Sequence, residues 1–439
     1  MKIRTLLLPL LALTAPAMAQ LTLKEAIAYG KEHSPTLVIA ANDHAVTHAQ
    51  AQEALSGYLP QVNGTGQLDD NLKRQTTILP AGIFSSEPTP VKFGTQFNTS
   101  LSLQGEQTLV DVGKLNGIQA IKPDIKRADI QLQQAEEKLI YDVARAYAEA
   151  LTYREQTRLL ADNLQQYDDL LPILQLRQEK GVAQPLDLDR TQVTQRNIKS
   201  QYTVSQANYD VAVDRLKQVI GMPLDQLVEL TDSILDPRNI GALGSDGFVL
   251  GNLLEYKYSE QMLLLYGIDL KSKRNAFLPT LSAYGRYGTM AQGNDLGSSY
   301  QNWYDFAAIG LKLNVPIFSG MRRVSQIKQS ELALSSAREQ LKLNSSGWEL
   351  TYRNANTRLT ASEINVNNDA ENLDLAEKVF AVTNKQYQEG LVSLSDVLTA
   401  NYQLKEAQNN YTTSLLNNYL AIIDIQRAKG SLIQFANAL

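Results

Sequence analysis

Gly181-Val182-Ala183-Gln184-Pro185-Leu186-Asp187 and Gly390-Leu391-Val392-Ser393-Leu394-Ser395-Asp396 stand 209 residues apart in a chain of 439. Each has glycine first and aspartate six residues later. Each interrupts a helical pattern that then resumes and runs to another glycine, Gly221 or Gly430. Glycine stops a helix by entering the left-handed region, and proline is tolerated in the first turn of the next. Both stretches therefore read as tight turns between antiparallel helices. The same shift carries Tyr202 onto Tyr411, Val213 onto Ile422 and Leu216 onto Ile425.

Upstream of the first turn, apolar or small residues recur from Ile125 through Leu132, Leu139, Val143, Ala150, Leu160 and Tyr167 to Leu171, in steps of three and four. That is the seam of a coiled coil. The helix extends to about Glu179, roughly 55 to 65 residues or 80 to 100 Å at ~1.5 Å per residue, which is too long for a globular core. Many seam positions are Ala, Ser, Thr or Tyr, which suits a closely packed wall of several helices. The second helix reads from about Asp187 to Ile220.

Further out lie strands. Phe93, Thr95, Phe97, Thr99, Leu101 and Leu103 alternate with polar or small residues, as do Ile309, Leu311, Leu313 and Val315. Period two with one apolar face means strand. A partner strand follows Pro60 and another follows Pro279, with connecting loops at about Lys73 to Val91 and Ala291 to Asn302. Tyr58-Leu59-Pro60-Gln61-Val62 matches Phe277-Leu278-Pro279-Thr280-Leu281, and Asp111-Val112-Gly113 lies near the equivalent of Phe318-Ser319-Gly320. The chain is thus an internal duplication of helix, two strands, long helix and helix. Residues 20–221 form the first repeat, 222–250 a linker, 251–430 the second repeat and 431–439 a tail. Phe93, Phe97, Tyr284, Tyr287, Trp303, Tyr304 and Phe306 gather at the strands. A membrane barrel places such residues in interfacial girdles, and a soluble sheet uses them in a one-sided core.

Residues 1–19 read as an address. Lys2 and Arg4 precede the apolar run Leu6 to Leu13, and Ala17-Met18-Ala19 is a small-residue cleavage site, the pattern of a secretory signal peptide. Its removal takes the net charge from -5 to -7. With no cysteine there is no disulfide, thiolate nucleophile or lipidated N-terminal cysteine. The acidic balance argues against nucleic acid as a partner. No later segment has 18 consecutive apolar residues, so a membrane crossing would have to be a β-barrel. Four strands cannot close one, since the smallest have ~8. Several chains must then share a barrel, and three would supply twelve strands and twelve helices.

Leu23-x-x-Ala26, Ser34-Pro35, the two Leu-Pro strand entries and the duplicated Gly-x5-Asp turns occur in an order and spacing that resembles the TolC-like outer membrane factors. The resemblance covers essentially the whole chain after the signal peptide. It implies a mainly α fold with a small β part: a homotrimer in which long helical hairpins form an α-barrel through the periplasm and four strands per chain build a 12-stranded barrel in outer membrane lipid. It implies an equatorial domain built from 222–250 and 431–439. It further implies a passive exit duct of a tripartite efflux or type I secretion system, working with a periplasmic adaptor and an energised inner-membrane transporter, with no cofactor and no enzymatic activity. An exported coiled-coil structural protein or adhesin would also explain the helices and signal peptide, but not the duplicated strand pairs.

Within that resemblance the turns are the periplasmic tips. Arg177, Gly181 and Val182 match its Arg-x-x-x-Gly-Val motif, and Tyr387, Gly390 and Leu391 its Tyr-x-x-Gly-Leu motif, both adaptor-contacting. The glycines are equally explained as left-handed caps. Asp187, Asp189 and Asp396 fall where the family narrows its pore, and three copies would give a negative ring. Helix N-capping, or compensation of the helix dipole by an acid in the first turn, explains the same acids. Arg190 and Thr399 stand where the family often has a second acid. His44 and His48 are spaced i,i+4, with His33 on roughly the same face. No His-Glu-x-x-His pattern or third ligand accompanies them, so they read as solvated helix histidines. Gly-x-Ser-x-Gly and Gly-Lys-Ser/Thr motifs are absent.

Overall fold

The computed structural model describes residues 19–80, 82, 87–181, 184–232 and 247–438. The signal segment before Ala19, Val182 in the first tip, part of the linker and Leu439 lie outside these described residues. Two compact units divide the chain: Met1–His44 with Asp129–Ser259 and Leu341–Leu439, and Ala45–Ala128 with Glu260–Gln340. Each unit draws on both sequence halves.

Helices dominate the first unit. A capping box of Thr22 and Glu25 starts α1 (Leu23–His33), and α2 (Pro35–Ser56) follows after Ser34. The Ser34-Pro35 step thus splits what the sequence reads as one helix, because a residue before proline is driven out of the α region. Helix α3 (Val112–Glu179) has 68 residues and α4 (Pro185–Ile220) has 36. Helix α3 begins well before Ile125 and runs through Pro123 and Pro172. Each proline forfeits one backbone hydrogen bond, a loss of about 3 kcal/mol, and the many packed turns on either side outweigh it. After α5 (Leu254–Asn275), α6 (Arg322–Gln388) has 67 residues and α7 (Leu394–Lys429) has 36, followed by the short α8 (Leu432–Ala438). Helices α4 and α7 are equal in length and 209 residues apart, and both end on a left-handed glycine, Gly221 or Gly430.

The core of this unit gathers Ala26 and Ile27 of α1, Ile140, Val143 and Tyr147 of α3, Leu216 and Ile220 of α4, Ile423 of α7 and Leu432 of α8. Between α3 residues the spacing is three or four, which aims all of them at one face. Strand β1 (Ala19–Leu21) pairs in parallel with β6 (Val228–Leu230), a pairing invisible in the sequence because each strand has only three residues. Asp232 fastens it: its Oδ2 accepts from Leu23 N at 2.9 Å and from the Tyr147 hydroxyl at 2.7 Å. Arg154 donates to the carbonyls of Leu230 and Asp232. One acid lies inside: Glu137 is 5% exposed. Burial, together with Glu255 of α5, pushes its carboxyl up to about 7, while Arg427 of α7 pulls the other way.

The second unit is built on a four-stranded antiparallel sheet of β2 (Gln61–Asp70), β5 (Phe97–Val110), β7 (Thr280–Gly293) and β8 (Trp303–Asn314), in the spatial order β2-β5-β7-β8. Strand β5 starts at Phe97, so Phe93 and Thr95 fall outside it; Gly94 at φ +84 breaks the alternation between them. The loop after Lys73 contains a further hairpin, β3 (Thr76–Leu79) with β4 (Thr89–Lys92), and β7 extends into what reads as loop. Directly paired residues share a face. The register puts Val62, Leu68, Leu101, Leu103, Tyr287, Ile309, Leu311 and Leu313 on one face, and Asn63, Thr65, Gln67, Ser100, Ser102, Gln104, Glu106, Arg286 and Lys312 on the other. Phe97, Tyr287 and Trp303 lie on the apolar face, as girdle residues should. Tyr284, Tyr304 and Phe306 lie on the polar face, contrary to a lipid-girdle reading of all the aromatics. Among the described residues no helix is long and apolar enough to cross a membrane.

Two outcomes follow. A Cβ at Gly221, whose φ is +76, would stand 2.4 Å from the His33 carbonyl oxygen. Gly221→Val should therefore lose more than about 2 kcal/mol of stability, read as a lower melting temperature, whereas Gly181→Ala, with nothing within 4 Å, should lose only about 1 kcal/mol. For Glu137, a folded-state pKa above the unfolded one means the native state holds the extra proton, so its contribution is full below about pH 4.5 and is lost as pH rises through about 7. Glu137→Gln should flatten that decline and stabilise the protein at pH 8 by about 1 to 3 kcal/mol, checked by melting at pH 5 and pH 8.

Candidate functional site

The two tips are built alike but finished differently. Helix α3 closes with Lys180 N donating to Leu176 O at 3.2 Å and Gly181 N to Gln178 O at 2.9 Å; α6 closes with Gly390 N on Tyr387 O at 3.0 Å and Leu391 N on Gln386 O at 2.9 Å. Gly181 and Gly390 take φ +72 and +78. A left-handed residue there turns the chain back within a few positions, and no atom lies within 4 Å of where their Cβ would be. Both tips are therefore open surface, and Leu391 is 70% exposed.

The helices that leave the tips begin with different chemistry. Helix α7 has a full capping box: Ser393 Oγ accepts from Asp396 N, and Asp396 Oδ2 accepts from Ser393 N at 2.9 Å and from Ser393 Oγ at 2.7 Å. The Ser393 hydroxyl and then its N–H hold the Asp396 carboxyl below the usual range. Helix α4 starts at Pro185 behind Gln184, which makes no side-chain cap. Asp187 is half-buried and Asp189 exposed, and neither is drawn into a capping box. The capping box is thus Asp396's, while Asp187 is an acid in the first turn of α4, where it offsets the helix dipole.

Arg177 and Tyr387, from opposite repeats, meet: the guanidinium carbon stands 5.5 Å from the ring centroid. A cation over an aromatic face is worth ~0.5–1 kcal/mol where exposed. Above the tips, α3, α4 and α7 enclose a groove of about 890 Å³ lined with amides, among them Asn163, Asn197, Gln201, Asn208 and Gln408. Lys405 reaches into it, 5.4 Å from the Tyr167 ring, and burial pushes its amine down to about 8 and the Tyr167 hydroxyl up to about 12. No sequence motif announces this groove, since amides on three separated helices carry no shared spacing.

His33 and His48 are exposed, as the sequence reading has them, and His44 is half-buried. His44 Nε2 lies 2.7 Å from Asp129 Oδ1, a carboxylate 85 residues away in sequence. His33 stacks on Tyr29 at 4.1 Å and its Nδ1 lies 3.1 Å from the Tyr29 carbonyl.

Long antiparallel hairpins with open tips, and a sheet that is apolar on one face and polar on the other, match known proteins closely. The chain fits the outer membrane efflux protein family over residues 30–222 and 267–431. It belongs to that family. It is 22% identical to outer membrane protein TolC of Vibrio cholerae, over 92% of this chain and 89% of that protein. Among solved structures it superposes on VceC of Vibrio cholerae with a TM-score of 0.73 at 17% identity, covering 93% of this chain and 96% of that one. It superposes on the CmeC outer membrane channel of Campylobacter jejuni with a TM-score of 0.75 at 17% identity, covering 93% and 85%. The fold is thus that of the outer membrane channels, and the protein is an outer membrane exit channel for efflux or secretion. Its family is one of channels, not of enzymes.

Because Asp396 is spent on its helix start and Asp187 is not, the two should respond differently to amidation. Asp396→Asn should reduce hydrogen-exchange protection in the first turn of α7, and Asp187→Asn should reduce it less in the first turn of α4.

Proposed function

We propose that three copies of this chain form the passive duct of a tripartite assembly. The observation that carries this reading is the sheet: among the described residues β2 and β8 each have a partner on one side only, and apolar side chains such as Ile309, 92% exposed, cover one face. In lipid an unpaired strand edge costs several kcal/mol for each backbone group. Three sheets joined edge to edge make twelve strands with no edge left, apolar outside and polar within. The helices support the same count. Leu186, Val193, Val204 and Val211 on α4 and Leu343, Leu350, Ile364, Leu375 and Val382 on α6 are all exposed, many of them seven residues apart, as seams awaiting neighbouring helices.

In this reading residues 1–19 are removed on export. The repeats 20–221 and 251–430 provide quasi-equivalent hairpins, with 222–250 and 431–439 at the equator. Arg177, Gly181, Val182, Tyr387, Gly390 and Leu391 contact a periplasmic adaptor, which the amide-lined groove also suits. Asp187, Asp189 and Asp396 ring the narrow end of the pore. An inner-membrane transporter supplies the energy.

The deciding test is the mass of the detergent-extracted protein by light scattering, corrected for bound detergent. A trimer extractable only with detergent is expected, and a water-soluble monomer or dimer would overturn the shared barrel. Gly390→Val should then cut adaptor binding by about tenfold, or ~1.4 kcal/mol, while the trimer persists. Loss of the trimer in that variant would refute the tip assignment. Asp187→Asn should lower cation selectivity in a bilayer recording more than Asp396→Asn does.

A further inference from the structure

The polar face of the four-stranded sheet carries three aromatic rings, Tyr284, Tyr304 and Phe306, and two cations, Arg286 and Lys312, and the duct reading leaves the cluster of Tyr284, Arg286 and Phe306 unexplained. In the β7–β8 register Tyr284 faces Gly310, Arg286 faces Ala308, and Gly288 faces Phe306. Each ring thus stands opposite a glycine, with arginine between them opposite a methyl group. The pairing is tight. A Cβ at Gly288 would come within 2.5 Å of Phe306 Cζ, and one at Gly310 within 2.8 Å of Tyr284 Cζ. Both rings therefore lie down across the neighbouring strand, where a larger residue would force them up. The Arg286 guanidinium carbon stands 5.8 Å from the Phe306 centroid. It is exposed and makes no ion pair or hydrogen bond among the described residues. The nearby carboxylate, Glu106, is paired in register with Tyr284 and accepts from Ser282 Oγ at 3.1 Å instead.

We propose that Tyr284, Arg286 and Phe306 form a binding site inside the barrel for organic anions that carry an aromatic ring, such as aromatic carboxylates and sulfonates. The site rests on the shared-barrel reading, which turns this face inward. The guanidinium offers a planar fork for a carboxylate or sulfonate, and the flat rings on either side offer a stacking surface. In a 12-stranded barrel the wall lies roughly 12 Å from the axis. Three inward-pointing guanidinium groups then sit within about a Debye length, ~8–10 Å, of a passing solute. Their charge favours an anion over a cation at this part of the wall.

The test is block of single-channel current by naphthalene-1-sulfonate added on the loop side of the reconstituted wild-type protein. Concentration-dependent block is expected, weakened about tenfold in Arg286→Gln and in Phe306→Leu, with Arg286→Lys between. Each variant is first shown to assemble with the wild-type mass in detergent, so a folding defect is recognised before block is measured. Equal block in wild type and Arg286→Gln would overturn the site. Weakening in Arg286→Gln but not in Phe306→Leu would reduce it to a bare charge and overturn the aromatic specificity. If the wild-type protein opens no channel at all, the duct reading falls, and the site falls with it.

Discussion

A β-strand edge in lipid has nowhere to send its backbone hydrogen bonds, and this constraint organises the rest of the molecule. The sheet has four strands, two of them at its edges, and an apolar face that water would penalise. Neither problem has a solution within one chain. The exposed seams on α4 and α6 repeat the situation in helical form. Both parts of the chain are therefore incomplete in a way that copies of itself repair, and a channel between the copies is the geometric by-product of closing the edges.

The duplication gives this design its economy and also its asymmetry. Helices α4 and α7 have the same length and the same left-handed end. Gly221 packs on the carbonyl of His33 and Gly430 on that of Asn252, so these two glycines are structural. At Gly181 and Gly390, with the same conformation, an added Cβ would meet no atom within 4 Å. Identical backbone chemistry thus stands in two settings, packed against a neighbouring carbonyl in one pair and open in the other. The start of the following helix differs as well: Ser393 closes a capping box, and its counterpart Gln184 makes no side-chain cap. The Asp396 carboxylate is thereby committed to the backbone, and that of its counterpart Asp187, half-buried in the first turn of α4, is not.

The polar face of the sheet shows a similar division. Amides, hydroxyls and the acids Asp69 and Glu106 of β2 and β5 make a hydrophilic wall, while β7 and β8 place three rings and the cations Arg286 and Lys312 in it. Such a surface holds a flat anion loosely, which is what a conduit requires: favourable enough for entry and weak enough for release.

The sequence by itself determined the long helices, the turns, the duplication and the presence of four principal strands. Each of these is written in local periodicity or in a glycine, and local periodicity acts over one turn or one pleat. It did not place the start of α3, whose seam reads from Ile125 while the helix begins at Val112. The tertiary structure alone decided the rest. It paired β1 with β6 and pinned them through Asp232, Tyr147 and Arg154. It brought Arg177 to Tyr387 across 210 residues and Asp129 to His44 across 85. It also assigned each aromatic to the apolar or the polar face, which depends on strand register. Register is set by hydrogen bonds between segments far apart in the chain, and shifting it by one residue would send every ring to the opposite side.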